Sequence, residues 1–130
     1  MKGSFLMKQK KLIYVVDDDP SVRNALEMLL ISAGMDVQIF VNAEDFLKHK
    51  IKETNSCLVT DVKMEGLSGL ALQRRLIEDG INLPVIFLTA FDSNESRHRA
   101  KKGGAAGYFR KPVDDQALLD TIQWALSRDK

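Results

Sequence analysis

The sequence predicts an α/β domain built on a doubly wound parallel sheet with helices on both faces. Short apolar runs, typical of strands covered on both sides, alternate along the chain with segments of helical periodicity. The chain has 130 residues, the size of one domain. Five such alternations in one small domain indicate a parallel sheet, because parallel neighbours need crossovers and right-handed crossovers dominate.

The first unit is a strand followed by a turn and a helix. Residues 12–16 form a continuous apolar run, Leu-Ile-Tyr-Val-Val, which stops at three aspartates. Asp19 followed by Pro20 is typical of an N-cap and a first helical residue. Apolar residues then recur at helical spacing until Gly34.

The later units repeat this pattern. Asn42 is a suitable cap for a short second helix that carries Phe46 and Leu47. We expect the remaining strands at residues 37–40, 57–60, 85–88 and 106–109. We expect longer helices at about residues 70–79 and 114–128.

The fourth helix, residues 94–102, has an unusual composition. Its sequence, Asn-Glu-Ser-Arg-His-Arg-Ala-Lys-Lys, has almost no apolar stripe, although a surface helix normally needs one to dock. We therefore expect it to be short, frayed or mobile. Its charges are either a solvated face or a basic recognition patch for an acidic partner, and both interpretations stay open.

The bulk composition excludes several classes of function. Basic residues number 19 and acidic residues 18, so the net charge of +1 gives no bulk attraction to nucleic acid or membrane. The single cysteine, Cys57, cannot form an internal disulfide, and we expect a cytoplasmic protein. We expect residues 1–10 to be a disordered leader or a cloning remnant and residues 11–130 to be the folded domain.

Polar side chains follow four of the apolar runs at the point where each strand ends. They are Asp17, Asp18, Asp61, Thr89 and Lys111. Because ligands bind outside the carboxyl ends of parallel strands, we expect these side chains to form one site. Mg²⁺ would relieve the repulsion between the adjacent carboxylates of Asp17 and Asp18, which we call the acidic pair. The set suits a carboxylate, Asp61, that accepts a phosphoryl group beside a cation.

Each residue also has a simpler interpretation when it is taken alone. Asp61 could be a loop residue, Thr89 a β-branched strand end and Lys111 a surface lysine. Tyr108 could be a core or edge aromatic. Only the combination at one edge of the sheet favours a functional site.

The combined motifs VVDDD, LVTDVKM, LSG, LTA and YFRKP resemble the receiver domain of two-component response regulators. The resemblance runs from about residue 11 to residue 127. The segments VDDDPSVR and FVNAEDFL are most similar to FixJ-type regulators, whose receivers usually precede a LuxR-like helix-turn-helix output domain. The resemblance implies a (βα)5 fold with the flavodoxin-like strand order 2-1-3-4-5.

The resemblance also implies a role for each site residue. Asp61 would be the phosphoacceptor. Asp17 and Asp18, with Asp61 and the backbone carbonyl of Lys63, would hold Mg²⁺, for which Mn²⁺ could substitute.

Two further residues are implied as parts of a switch. Thr89 and Lys111 would contact the phosphoryl group, and Tyr108 would turn inward when Thr89 moves. The changed surface would be the fourth helix, fifth strand and fifth helix.

The implied partners follow from that switch. They are a sensor histidine kinase or a phosphotransfer protein, and a second copy bound through the switched face after phosphorylation. DNA would be contacted only through an output domain outside these 130 residues, and no membrane partner is expected.

Three residues depart from the family pattern or crowd the site. Glu65 stands where many receivers have proline after Met64, so we expect a looser loop beside the acceptor. Lys63 and Phe91 are bulky and lie near the expected path of attacking water, which predicts slow self-dephosphorylation.

Two rival functions would use part of the same set of residues. An aspartyl-phosphate hydrolase would need a second carboxylate two residues beyond its nucleophile, where this chain has Lys63, and a substrate-enclosing cap. A receiver-like module that signals by binding alone is the other rival. We expect a phosphoacceptor rather than an enzyme acting on external substrates.

Overall fold

The computed structural model describes residues 10–128. Within this range, five strands alternate with five helices. The strands are β1 (Leu12–Val16), β2 (Asp36–Phe40), β3 (Ser56–Asp61), β4 (Val85–Thr89) and β5 (Gly107–Arg110). The helices are α1 (Pro20–Ser32), α2 (Ala43–Leu47), α3 (Gly69–Glu78), α4 (Asn94–Lys102) and α5 (Asp115–Ser127). Apart from Lys10, the leader expected at residues 1–10 lies outside the described residues.

The five strands form one parallel sheet in the order β2-β1-β3-β4-β5, which confirms the predicted topology. Val16 at the end of β1 is paired with Phe40 on one side and Thr60 on the other. Thr89 at the end of β4 is paired with Arg110. The carboxyl ends of the strands therefore meet at one edge of the sheet.

The sheet separates two apolar cores because successive strand residues point to opposite faces. Ile13 and Val15 contribute to the core that also contains residues of α1 and α5. Tyr14 and Val16 contribute to the other core, which contains residues of α2, α3 and α4. Cys57 on β3 is fully buried, and its burial raises the thiol pKa to about 12.

Side chains cap the helices at the predicted positions. The Asp19 carboxylate accepts a hydrogen bond from the Ser21 N–H at 2.9 Å, ahead of Pro20. The Asn42 side chain accepts from the Asp45 N–H at 2.7 Å and begins α2. These caps satisfy backbone donors that a helix leaves unpaired at its start.

Helix α4 is formed over nine residues although its sequence has almost no apolar stripe. Ala100 is its only buried residue. Gln73 of α3 donates from Nε2 to the Ala100 carbonyl at 3.2 Å. A Cβ at Gly103 would lie 2.6 Å from the Gln73 carboxamide, so the glycine makes room for this anchor. The mobility expected of α4 stays a prediction.

Within residues 10–128, no helix is both long and apolar enough to cross a membrane.

Candidate functional site

Three of the predicted site residues approach one another on the same face of the sheet. Asp17 follows β1, Asp61 ends β3 and Lys111 follows β5. Residues two positions earlier in each strand belong to the core beneath α1 and α5. Since alternate strand residues share a face, this register directs all three side chains to that side of the edge.

Lys111 bridges the two carboxylates. Its Nζ lies 2.8 Å from Asp17 Oδ2 and 3.0 Å from Asp61 Oδ2. The exposed fractions of the side chains are 17% for Lys111, 2% for Asp17 and 11% for Asp61. The ion pairs are therefore largely withdrawn from water, where charge interactions are strong and desolvation is costly.

Burial and charge shift the pKa values of this cluster. Burial raises the pKa of Asp61 above its ordinary value, and the Asp17 charge adds to this, while the Lys111 ammonium offsets only part of it. Burial alone would lower the pKa of Lys111, but its hydrogen bonds to Asp17 and Asp61 outweigh that effect and raise it. The ammonium therefore stays charged at neutral pH beside an acceptor whose ionised form is destabilised.

A third carboxylate completes a set of oxygen donors. Asp17, Asp18 and Asp61 each offer an oxygen, and these oxygens lie within 4.8 Å of one another. Among these four charged residues, Lys111 is the only positive charge opposing three negative ones. A hard divalent cation fits the donor chemistry and this imbalance. Lys63, the expected carbonyl ligand, donates its N–H to Asp61 Oδ1 at 3.3 Å.

Thr89 lies at the same edge of the sheet, where its hydroxyl has a local partner. The residue is fully buried, and Oγ1 accepts a hydrogen bond from the Phe91 N–H at 3.0 Å. The Lys111 N–H donates to the Thr89 carbonyl at 2.8 Å. Thr89 and Lys111 are thus neighbours through their backbones, and the Lys111–Pro112 bond is cis.

Tyr108 is half-buried in the core on the other side of the sheet. Its ring centroid lies 6.4 Å from that of Phe87 and 5.8 Å from the Arg97 guanidinium carbon. Arg97 forms an ion pair with Asp92. Burial, and then the nearby Asp92 carboxylate, raise the pKa of Tyr108. Within the described chain, Tyr108 Oη and Asp92 Oδ1 are buried without a hydrogen-bond partner.

Two bulky side chains lie in contact beside the site. Lys63 Nζ is 5.6 Å from the Phe91 ring centroid, and Phe91 is 67% exposed. The backbone of Gly69, at the start of α3, lies close to the backbone of Asp61, since a Cβ at Gly69 would be 1.9 Å from the Asp61 carbonyl oxygen. This close approach explains the glycine of the LSG motif.

The sequence reasoning missed several residues that support the site. Arg23 of α1 donates from Nη1 to the Asp17 carbonyl at 2.7 Å. Asp92 and Arg97 flank Tyr108. Their contacts depend on side-chain reach between elements, and no local motif signals them.

Comparisons with known proteins show the family of the chain. The family described as Response regulator receiver domain matches residues 13–123. The transcriptional regulatory protein TdiR of Thauera aromatica is 43% identical over 91% of this chain and 52% of its own length.

Solved structures give the same result. The response regulator StyR has a TM-score of 0.86 and 42% identity, covering 93% of this chain and 61% of that one. The structure titled FixJ-N has a TM-score of 0.84 and 32% identity, covering 92% and 96%. The chain spans about half the length of the curated relatives it matches.

Proposed function

The chain belongs to the receiver domain family of two-component response regulators, and on that premise we propose that Asp61 is the acceptor of a phosphoryl group. The donor would be a phosphohistidine on a sensor kinase or a phosphotransfer protein. The proposed receiver extends over residues 11–130, and the proposed location is the cytoplasm.

The contact of Lys111 with both Asp61 and Asp17 is the observation that carries this proposal. In the transfer, an Asp61 oxygen would attack phosphorus while the bond from phosphorus to the donor breaks and its electron pair leaves with the donor. The Lys111 ammonium would neutralise charge on the transferring oxygens. Water would later cleave the acyl phosphate and regenerate the carboxylate.

Asp17, Asp18 and Asp61, with the backbone carbonyl of Lys63, are the proposed ligands of Mg²⁺ or of Mn²⁺ in its place. The bound cation would supply positive charge to the phosphoryl oxygens. The closeness of the three carboxylates supports this assignment.

The proposed output is a population shift at the surface formed by α4, β5 and α5. Thr89 would move toward the new phosphoryl group, and Tyr108 would turn inward after it. This surface would then bind a second copy of the chain or release an output domain. The name transcriptional regulatory protein carried by relatives supports a DNA-binding output in the whole protein.

The test is phosphorylation by acetyl phosphate in the presence of Mg²⁺, followed by intact-mass measurement. We expect a gain of one phosphoryl group that Asp61→Asn abolishes and Glu78→Gln, a change at an exposed acid of α3, leaves intact. A wild-type chain that gains no mass would favour a module that signals by binding alone. Catalytic hydrolysis of a phosphate monoester such as p-nitrophenyl phosphate, which does not phosphorylate the leading candidate, would favour the hydrolase.

A further inference from the structure

A carboxylate outside the predicted site contacts the loop beside the acceptor. Residues 62–68 connect β3 to α3, and we call them the acceptor loop. We propose that Glu44, in the first turn of α2, is a positioning residue that holds this loop in place for phosphoryl transfer. The inference rests on the proposed role of Asp61.

The contact joins two parts of the chain that are distant in sequence. Glu44 Oε2 accepts a hydrogen bond from the Leu67 N–H at 3.0 Å. Gly66 has a φ of +80°, and a Cβ there would lie 2.6 Å from the same oxygen. The carboxylate is therefore seated against the loop backbone, at a point where only glycine leaves room for it.

Two other ties of the acceptor loop use carboxylates of the site itself. The Glu65 N–H donates to Asp18 Oδ2 and the Lys63 N–H donates to Asp61 Oδ1, each at 3.3 Å. Both acceptors would gain new partners during the proposed transfer. Glu44 lies outside that set, so its bond to Leu67 can persist while the other two are exchanged.

The looser loop expected from Glu65 stays a prediction, but two side-chain bonds tie the loop backbone at and near this residue. The Glu65 amide has an acceptor in Asp18, and two residues later Leu67 has one in Glu44. A hydrogen bond between backbone groups, from the Gly69 N–H to the Val62 carbonyl at 2.9 Å, closes the base of the loop. Glu44 thus fixes the end of the acceptor loop near α3, while Lys63 lies at the end near Asp61.

The first experiment measures amide hydrogen exchange at Leu67 and the Mg²⁺ dependence of phosphorylation by acetyl phosphate. In Glu44→Ala we expect Leu67 to exchange about tenfold faster, because a bond to a charged acceptor is lost. We expect the Mg²⁺ concentration for half-maximal rate to rise about threefold or more. Glu44→Gln keeps an acceptor oxygen and should retain most of both properties.

Asp45→Ala is the matched control. Asp45 is the next residue of the same helical turn, is also exposed and carries the same charge at the same helix end. In Asp45→Ala, the Leu67 amide should exchange at the wild-type rate, and phosphorylation should have the wild-type Mg²⁺ dependence. If Glu44→Ala and Asp45→Ala behave alike, the effect is one of helix charge and the proposal is wrong.

A second set of variants tests the contact itself. Gly66→Ala should displace the Glu44 carboxylate and speed exchange at Leu67. In the Glu44→Ala background the same change should have a smaller effect, because the clash is gone and only the φ strain remains. Strictly additive effects would contradict direct contact.

The outcomes separate this inference from the proposed function. If the wild type is not phosphorylated but Glu44→Ala still speeds exchange at Leu67, the function fails while the contact stands; the positioning role then falls with it. If the wild type is phosphorylated and Glu44→Ala leaves its Mg²⁺ dependence unchanged, the positioning role alone is refuted.

Discussion

Helices α1 and α4 are attached to the same sheet by different kinds of contact. Helix α1 buries Leu26 and Leu30 in an apolar core. Helix α4 buries only Ala100 and is held by a hydrogen bond from Gln73 and a cation–π contact between Arg97 and Tyr108. Apolar burial is lost only by exposing large areas to water, but polar anchors can be exchanged for other partners. The contrast indicates that α4, one element of the proposed switch surface, is held less firmly than α1, the helix that follows Asp17 and Asp18.

The largest expected effect on stability would come from removing apolar packing beneath α1. Leu30→Ala removes a fully buried side chain of α1 and should lower the free energy of unfolding by about 2–5 kcal/mol. Urea denaturation measures this loss. Ile31→Ala, at an exposed neighbouring position, is the control and should change it by under about 0.5 kcal/mol.

A smaller effect is expected when the α4 anchor is removed. Gln73→Ala deletes the bond to the Ala100 carbonyl and should cost about 1–2 kcal/mol. Amide exchange should rise in α4 well before it rises in α1. If Gln73→Ala speeds amide exchange equally in both helices, α4 does not open independently of α1. If amide exchange in wild-type α4 is as slow as in α1, the predicted mobility of α4 is refuted.

The charged site should make stability depend on pH. Because burial raises the folded-state pKa of Asp61 above its ordinary value, the wild type should lose stability as the pH rises from that ordinary value through the raised one. Asp61→Asn lacks this titration, so it should gain in melting temperature relative to the wild type over that window and keep the gain at neutral pH. Thermal melts between pH 3 and pH 8 measure the difference, and a difference that shrinks as pH rises would contradict the sign.

The smallest effect is kinetic and concerns the exposed pair beside the acceptor. Lys63→Ala or Phe91→Ala should open a path for water and shorten the phosphoryl lifetime by roughly twofold to fivefold. The decay of the phosphorylated mass measures this, with Lys101→Ala as an exposed control on α4. An unchanged lifetime in both variants would argue against the predicted shielding.

The fold and the central charges were predictable because their signals are local. Each strand is a short apolar run, and the rule that carboxyl ends share one edge brings Asp17, Asp61 and Lys111 together without coordinates. The Glu44 contact was not predictable, since it joins residues 23 positions apart. In the sequence, Glu44 is an acidic residue in the first turn of a helix, where acids are common for electrostatic reasons alone. The Gln73 anchor was hidden for the same reason, because a glutamine on α3 gives no sign of its partner.

The deep burial of Cys57 has a practical consequence for studying these motions. The chain has one cysteine, and a thiol with a pKa of about 12 stays protonated and unreactive toward maleimides at neutral pH. A second cysteine at an exposed α4 position such as His98 would therefore be labelled selectively with a spin probe or fluorophore. The native sequence is already a suitable background for site-directed spectroscopy of the helix.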